Sequence, residues 1–279
     1  MLLNEVLICP ICLQNLELKG KSLVCVGNNG GKHHSFDLSA SGYCDLSYRN
    51  GGGGDPKDAV VDRTAFLDKG YYCKLSETIN SLCYKYLGED FLLVDAGCGE
   101  GYYSENVASK FLNSKVYGVD LSKHAVHRAS VRRNLRSGVN SFYSVASIFN
   151  IPIKNSAADC VLSMFAPIAE DEFCRLLKPG GFAIIGAAAS RHLYGLKDAI
   201  YDSVVLNDTR ADLPRELSLI EQLNVKYMIS IDNQDDIRRL FGMTPYRFRT
   251  SEKSLNLLNS LTALDVEVDV DFYVYQKKI

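Results

Sequence analysis

Phe91-Leu-Leu-Val-Asp95-Ala-Gly97-Cys-Gly99-Glu-Gly101-Tyr-Tyr103 is the stretch on which the reading of this chain turns. An apolar run, Phe91 to Val94, ends in Asp95, and three glycines follow at alternate positions. Short apolar runs stopped by glycine are what a strand buried on both faces of a parallel sheet looks like. Glycine opens backbone angles closed to other residues and lets a ligand approach the main chain. Tyr102 to Leu112 can be helical, and a helix start there aims free N–H groups and a positive dipole end at the same turn.

Strand, glycine turn and helix together make a nucleotide-type pocket at the carboxyl end of a sheet. The spacing is Gly-x-Gly-x-Gly with an acid two residues ahead, not the dinucleotide Gly-x-Gly-x-x-Gly. It resembles motif I of S-adenosylmethionine (SAM) methyltransferases. Lys115 to Val119 reads as the next strand, closed by Asp120, where a carboxylate can accept both hydroxyls of a ribose. The expected cofactor-binding residues in this stretch are Asp95, Gly97, Gly99, Gly101 and Asp120.

Outward from that turn, strands alternate with helices, which predicts a parallel, doubly wound sheet. The expected strands are 91–95, 115–120, 141–145, 160–164 and 182–187, with helices at 102–112, 122–136 and 168–177. Leu177-Lys-Pro-Gly-Gly181 reads as a tight turn into the fifth strand. Residues 263–276 alternate in polarity and read as an antiparallel edge strand. Residues from about 191 to 252 read as an insertion capping the sheet. The expected fold is Rossmann-like, a class I SAM methyltransferase, with a small module ahead of it. The expected divisions are 1–48 for that module, 49–88 for a linker and leading helices, and 89–279 for the catalytic domain.

The N-terminal module carries Cys9-Pro-Ile-Cys12, then Cys25, His33, His34 and Cys44. So short a unit needs a staple, and zinc held by thiolates and imidazole supplies one. The preferred metal ligands are Cys9, Cys12, Cys25 and His34, with His33 or Cys44 as substitutes for the last. Asn50-Gly-Gly-Gly-Gly-Asp-Pro-Lys-Asp58 reads as a flexible linker or lid.

The chain has 279 residues, 47% hydrophobic, with a formal net charge of −2. That is ordinary for a globular protein and too little positive charge for a nucleic-acid coat, so any RNA contact must be local. No apolar run nears the roughly 20 residues that span a bilayer, and the start lacks a signal-type basic region. A cytoplasmic location and no membrane partner are expected. Nine scattered cysteines, in a reducing compartment, read as small buried hydrophobes outside the zinc module.

Nearly the whole chain carries a further resemblance. The module precedes Asp55-Pro56-x-Asp58, Arg63-x-x-Phe66-Leu67-x-x-Gly70-x-Tyr72 and the glycine turn. Phe165-Ala166-Pro167, Lys178-Pro-Gly-Gly181, Arg191-His192-Leu193 and Met243-Thr-Pro245 follow. Together these resemble the large-subunit ribosomal RNA guanine-N1 methyltransferases, of the RlmA and tylosin-resistance type. The resemblance implies SAM-dependent methylation of guanine N1 in a 23S rRNA hairpin by a homodimer. It places cofactor contacts on Tyr72, Gly99, Glu100 and His192, and zinc on Cys9, Cys12, Cys25 and His34. The family usually has only a few residues between the third cysteine and the histidine; here there are eight.

Phe165, Ala166 and Pro167, at the end of the fourth strand, are the expected catalytic edge. Phe165 can stack on an extruded guanine, or can be ordinary core. Glu100 and Asp171 are the acids nominated to accept the N1 proton. Phosphate contacts are expected from Lys19, Lys21 and Lys32, and from Arg247 and Arg249 beside Tyr246 and Phe248. Arg128, Arg132 and Arg136 read first as a solvated helix face. The competing functions are a methyltransferase of small molecules or lipid quinones, and a non-catalytic RNA-binding protein on the same scaffold.

Overall fold

A computed structural model of the chain describes residues 6–27, 33–47, 53–208 and 216–278. Lys32, the start of the glycine-rich linker and the 28–32 segment before His33 lie outside the described residues.

The module is a three-stranded antiparallel sheet, β1 (Leu16–Lys19), β2 (Ser22–Cys25) and β3 (Ser35–Asp37). A short strand, β4 (Cys44–Asp45), leaves it and pairs in parallel with β7 (Ser141–Val145) at the edge of the main sheet. Two helices follow, α1 (Lys57–Leu67) and α2 (Cys73–Leu87), parted at Gly70. The core strands are β5 (Leu92–Ala96), β6 (Lys115–Asp120), β7, β8 (Ala158–Met164) and β9 (Leu177–Ala188). Between them run α3 (Tyr102–Lys110), α4 (Lys123–Asn134) and α5 (Glu170–Leu176). Beyond β9 come α6 (Tyr194–Ile200), β10 (Leu217–Ile231), α7 (Gln234–Gly242), a 3₁₀ turn at Pro245–Phe248, α8 (Glu252–Ser260) and β11 (Leu264–Lys277).

The strand order is β10-β11-β9-β8-β5-β6-β7-β4. β11 runs antiparallel to both neighbours, so β10 points the same way as β9. The order reverses at β5, which pairs with β6 on one side and β8 on the other. In open α/β sheets the ligand crevice forms at that switch, off the carboxyl ends of the strands.

β5 and β7 are buried along their whole length, as strands covered on both faces are. One face of the sheet packs Leu93, Val116, Leu162, Ile184 and Phe272 against α1, α2, α6, α7 and α8. The other packs Val94, Tyr117, Val161 and Tyr275 against Leu7, Leu16, Leu23 and Leu46 of the module, so the module completes a hydrophobic core. Burial of this kind stabilises by roughly 25 cal/mol per Å² of apolar surface.

One sequence expectation is corrected and another is refined. β11 is interior rather than an edge: Tyr273 and Tyr275 pack on the face opposite Val268 and Val270, and β10 pairs along its other side. The region from 191 to 252 does more than cap the sheet, over one face of which its helices α6 and α7 pack. It contributes the edge strand β10, while α7 packs against α1 and Tyr227 Oη donates to the Tyr71 carbonyl at 2.8 Å. Among the described residues no helix is long and apolar enough to cross a membrane.

Candidate functional site

Gly97, Gly99 and Gly101 all take positive φ (87°, 54° and 77°), a region that strains any residue with a β-carbon. At Gly97 space forbids one as well: a β-carbon there would lie 2.7 Å from that of Ala166. The turn is held from the neighbouring strand, where the Val119 carbonyl accepts the N–H groups of Gly97 (2.9 Å) and Cys98 (3.0 Å). The glycines therefore bring the main chain after β5 against the edge that follows β8.

Asp95 lies buried beneath this turn and accepts from Ser104 Oγ at 2.5 Å. Burial pushes its carboxyl up to about 7, against the Ser104 hydrogen bond, with Asp120 and Glu100 adding repulsion. Asp120, at the end of β6, accepts from the Gly99 N–H through Oδ2 (3.1 Å) and from the Ser122 N–H through Oδ1 (2.7 Å). Burial raises this carboxyl too. Each oxygen keeps a second lone pair, the number needed for two ribose hydroxyls. Glu100 is also buried, and burial raises it in spite of the Arg63 charge nearby.

Across the crevice three rings meet. Phe165 stacks on His192 (centroids 5.3 Å, 27° between planes), and Tyr72 stands 6.4 Å from Phe165 and 6.2 Å from His192. Phe165 takes φ 54° and is 43% exposed, an unusual pair of properties for a large aromatic residue. Its N–H donates to Gly186 O at 2.9 Å, which fixes the strained backbone. His192 is buried, its Nδ1 accepting the Asp269 N–H at 3.2 Å and its Nε2 3.5 Å from Tyr72 Oη. Burial pushes its imidazole down to about 4, so it is neutral with the proton on Nε2.

In the module, the ligand atoms of Cys9, Cys12, Cys25 and His34 all lie within 4.8 Å of one another. His34 Nδ1 is 3.5 Å from the sulfurs of both Cys9 and Cys25. A tetrahedron with Zn–S near 2.3 Å and Zn–N near 2.0 Å has S···N edges of about 3.5 Å, so the cluster could hold zinc. The His34 N–H donates to Cys25 Sγ at 3.0 Å. The two alternative ligands stand apart from it: His33 Nδ1 contacts the Cys25 carbonyl at 3.0 Å, and Cys44 Sγ points to the carbonyls of Phe36 and Asp37.

The basic candidates divide. Arg132 and Arg136 are not a solvated stripe but brackets for the glycine turn and α3. Arg132 donates to Glu100 O (3.2 Å) and pairs with Asp68 (2.6 Å), and Arg136 donates to Glu105 O (2.6 Å). Arg247 pairs with Asp58 and donates to Gly242 O (3.0 Å), while Phe248 stands exposed beside it. Lys21 and Arg249 are exposed, and Lys19 pairs loosely with Glu17 at 3.6 Å. Sequence reasoning gave no role to Arg63, which the fold carries to the turn. The Asp55-to-Met243 motifs that enclose it were the available signal: Arg63 donates to Met243 O at 3.3 Å and pairs with Asp55 at 2.5 Å.

Residues 93–181 match the family described as "Methyltransferase domain". Over 245 residues the chain is 29% identical to the 23S rRNA (guanine(748)-N(1))-methyltransferase of Streptomyces fradiae, covering 85% of this chain and 84% of that one. It is 28% identical over 281 residues to YxjB of Bacillus subtilis (strain 168), provisionally named a 23S rRNA (guanine-N(1)-)-methyltransferase, covering 96% of each. A Micromonospora griseorubida protein, provisionally named for the same activity, is 27% identical over 212 residues, 69% of this chain and 68% of that one.

Proposed function

We propose that this chain, which carries a SAM-dependent methyltransferase domain, methylates N1 of a guanine in a 23S rRNA hairpin and works as a homodimer. The observation that carries the reading is the extent of the likeness. The domain family covers residues 93–181, whereas similarity to the guanine-N1 relatives reaches over the Cys/His module and the region beyond β9 as well. A methyltransferase acting on small molecules has no evident use for that module.

The chemistry sets what the protein must do. SAM supplies an electrophilic methyl on a sulfonium; the N1–CH3 bond forms as the S–CH3 bond breaks, and the N1 proton leaves. Guanine N1 sits in the pairing edge, so the base must be extruded first. Phe165 offers a half-exposed ring on which that base can stack, a contact worth roughly 1–3 kcal/mol. Carbonyls around Ala166 and Pro167 face its edge as acceptors. The close approach of Gly97 to Ala166, which leaves no room for a β-carbon, sets the methyl-donor cradle beside the base platform.

His192 does not take the N1 proton, since its Nδ1 already accepts the Asp269 N–H and its Nε2 bears the hydrogen. Glu100 is enclosed under the turn, so it serves the cofactor cradle. Asp171, exposed in the first turn of α5 just beyond Pro167, is the acid open to a bound base. Tyr72, Asp95, Gly97, Gly99, Glu100, Gly101, Asp120 and His192 line the donor crevice. Zinc at Cys9, Cys12, Cys25 and His34 shapes residues 1–48 as the RNA-recognition module, joined through 49–88 to the catalytic unit of 89–279.

The test is transfer from tritiated SAM to ribosomes, naked 23S rRNA and small-molecule extract. Label is expected in 23S rRNA, with reverse transcription halting at one guanine. Label confined to extract would establish the small-molecule reading, and label nowhere the scaffold reading. Phe165→Ala is expected to lower turnover on RNA by about 10- to 100-fold, with the affinity for S-adenosylhomocysteine within about twofold of the parent. Equal turnover would remove Phe165 from the base platform.

A further inference from the structure

We propose that Arg63 receives the carboxylate at the amino-acid end of the methyl donor, and that Asp55 is the counter-ion it gives up to do so. The proposal rests on the SAM reading above and assigns a residue to the charge that reading leaves unmatched.

Three carboxylates, Asp95, Glu100 and Asp120, crowd the glycine turn from within. They suit the positive sulfonium and ammonium of SAM. They repel its carboxylate, which in so enclosed a crevice needs a cation beside it. Arg63 meets that need by position. It projects from α1 across the turn, its side chain is 25% exposed, and Nη1 lies 3.7 Å from where a β-carbon of Gly99 would stand. An anion at the start of α3, beside Gly99, would therefore meet the guanidinium. Burial works against the charged guanidinium, but Glu100, Asp55 and Asp120 more than offset it, so it stays charged in the site.

Asp55 occupies Arg63 in a way suited to exchange. Its carboxylate pairs with Nη2 yet is 42% exposed, so it can turn to water at little cost. Its backbone is anchored independently: Ser122 Oγ donates to the Asp55 carbonyl at 2.6 Å, and Gly54 lies so close to Ser122 that a β-carbon would fall 2.5 Å from the Ser122 nitrogen. The strap of residues 53–55 thus stays beside the Asp120 turn whichever partner Arg63 holds. Met243 O, accepting from Nη2, keeps the guanidinium aimed.

The experiment is calorimetry on the full chain with two ligands: S-adenosylhomocysteine, and S-adenosyl-3-thiopropylamine, the same molecule without its carboxylate. The parent is expected to prefer the first by about 10- to 100-fold, as a charge-assisted pair in a sheltered site would give. Arg63→Met is expected to reduce that preference to under about threefold, and Asp55→Asn to keep it. Arg63→Gln, which keeps a polar but uncharged head on a shorter side chain, is expected to lose it as well and stands in if the methionine variant does not fold. Preference surviving in the Arg63 variants would overturn the assignment, as would Arg63 and Asp55 variants that weaken both ligands alike, the mark of a purely structural pair. A parent that binds neither ligand would overturn the SAM reading, and this inference with it.

Discussion

Ser104 Oγ donates to Asp95 Oδ2 at 2.5 Å beneath the glycine turn, and it is the hydrogen bond that most eases an ionised Asp95 in a buried site. The arrangement leaves the carboxyl with a value of about 7 against 3.8 for the free group. The sign follows from proton counting. Between those values the folded chain holds a proton that the unfolded chain has released, so stability falls as pH rises through that window. A cationic donor reverses the preference, because it favours ionised Asp95. Affinity for SAM is therefore expected to weaken by up to tenfold per pH unit below about 7, with proton release on binding. Calorimetry in buffers of different ionisation heat measures both; a flat profile for the parent, or the same profile in Asp95→Asn, would rule out this role.

Asp120 presents a different kind of acceptor, already committed by one lone pair on each oxygen to the N–H groups of Gly99 and Ser122. Asp120→Ala removes two charge-assisted bonds to ribose, each worth roughly 1.5–3 kcal/mol, so a loss of affinity of at least about 100-fold is expected. The far-UV circular dichroism should be unchanged, since β6 is held by ladders to β5 and β7 along its length. Unaltered affinity would take Asp120 out of the site.

The Cys/His cluster predicts about one zinc per chain by elemental analysis, and loss of a few kcal/mol on chelation. For a chain of this size that corresponds to a fall of roughly 5–10 °C in Tm, reversed by adding zinc back. His34→Ala should match the chelated protein, and His33→Ala should not, because the His33 ring faces the Cys25 carbonyl instead. Metal-free protein with an unchanged Tm would show that the four side chains gather without an ion.

The parts legible in the sequence were those where one residue type has one use. β5, β6 and β7 are buried through their middles because both faces are covered, and Asp95, the three glycines and Asp120 sit where β5 and β6 stop. β10 was missed although its signal was present: Leu223, Val225 and Tyr227 alternate with exposed Gln222, Asn224 and Lys226, as a strand packed on one side only should. β9 begins five residues earlier than the Lys178-Pro-Gly-Gly181 signal suggested, because that turn chemistry is overridden by extended pairing of Leu177 with Ala158. Arg63 lies 36 positions before Gly99 in the chain, and spacing says nothing about a helix folding back over a turn. The donor cradle was readable as a local motif; the cation beside it was a product of tertiary packing.

Joining β4 to β7 has a consequence for the order in which the protein can be made. Cys44 pairs with Ser144, and Leu7 bridges to Ile153, so in synthesis the module lacks these neighbours until a hundred or more further residues have been added. Until then Leu16, Leu23 and Leu46 have no sheet to rest on, and contacts so distant along the chain form slowly. An ion captured early by the cysteine knuckle would give the nascent end a shape of its own during that wait.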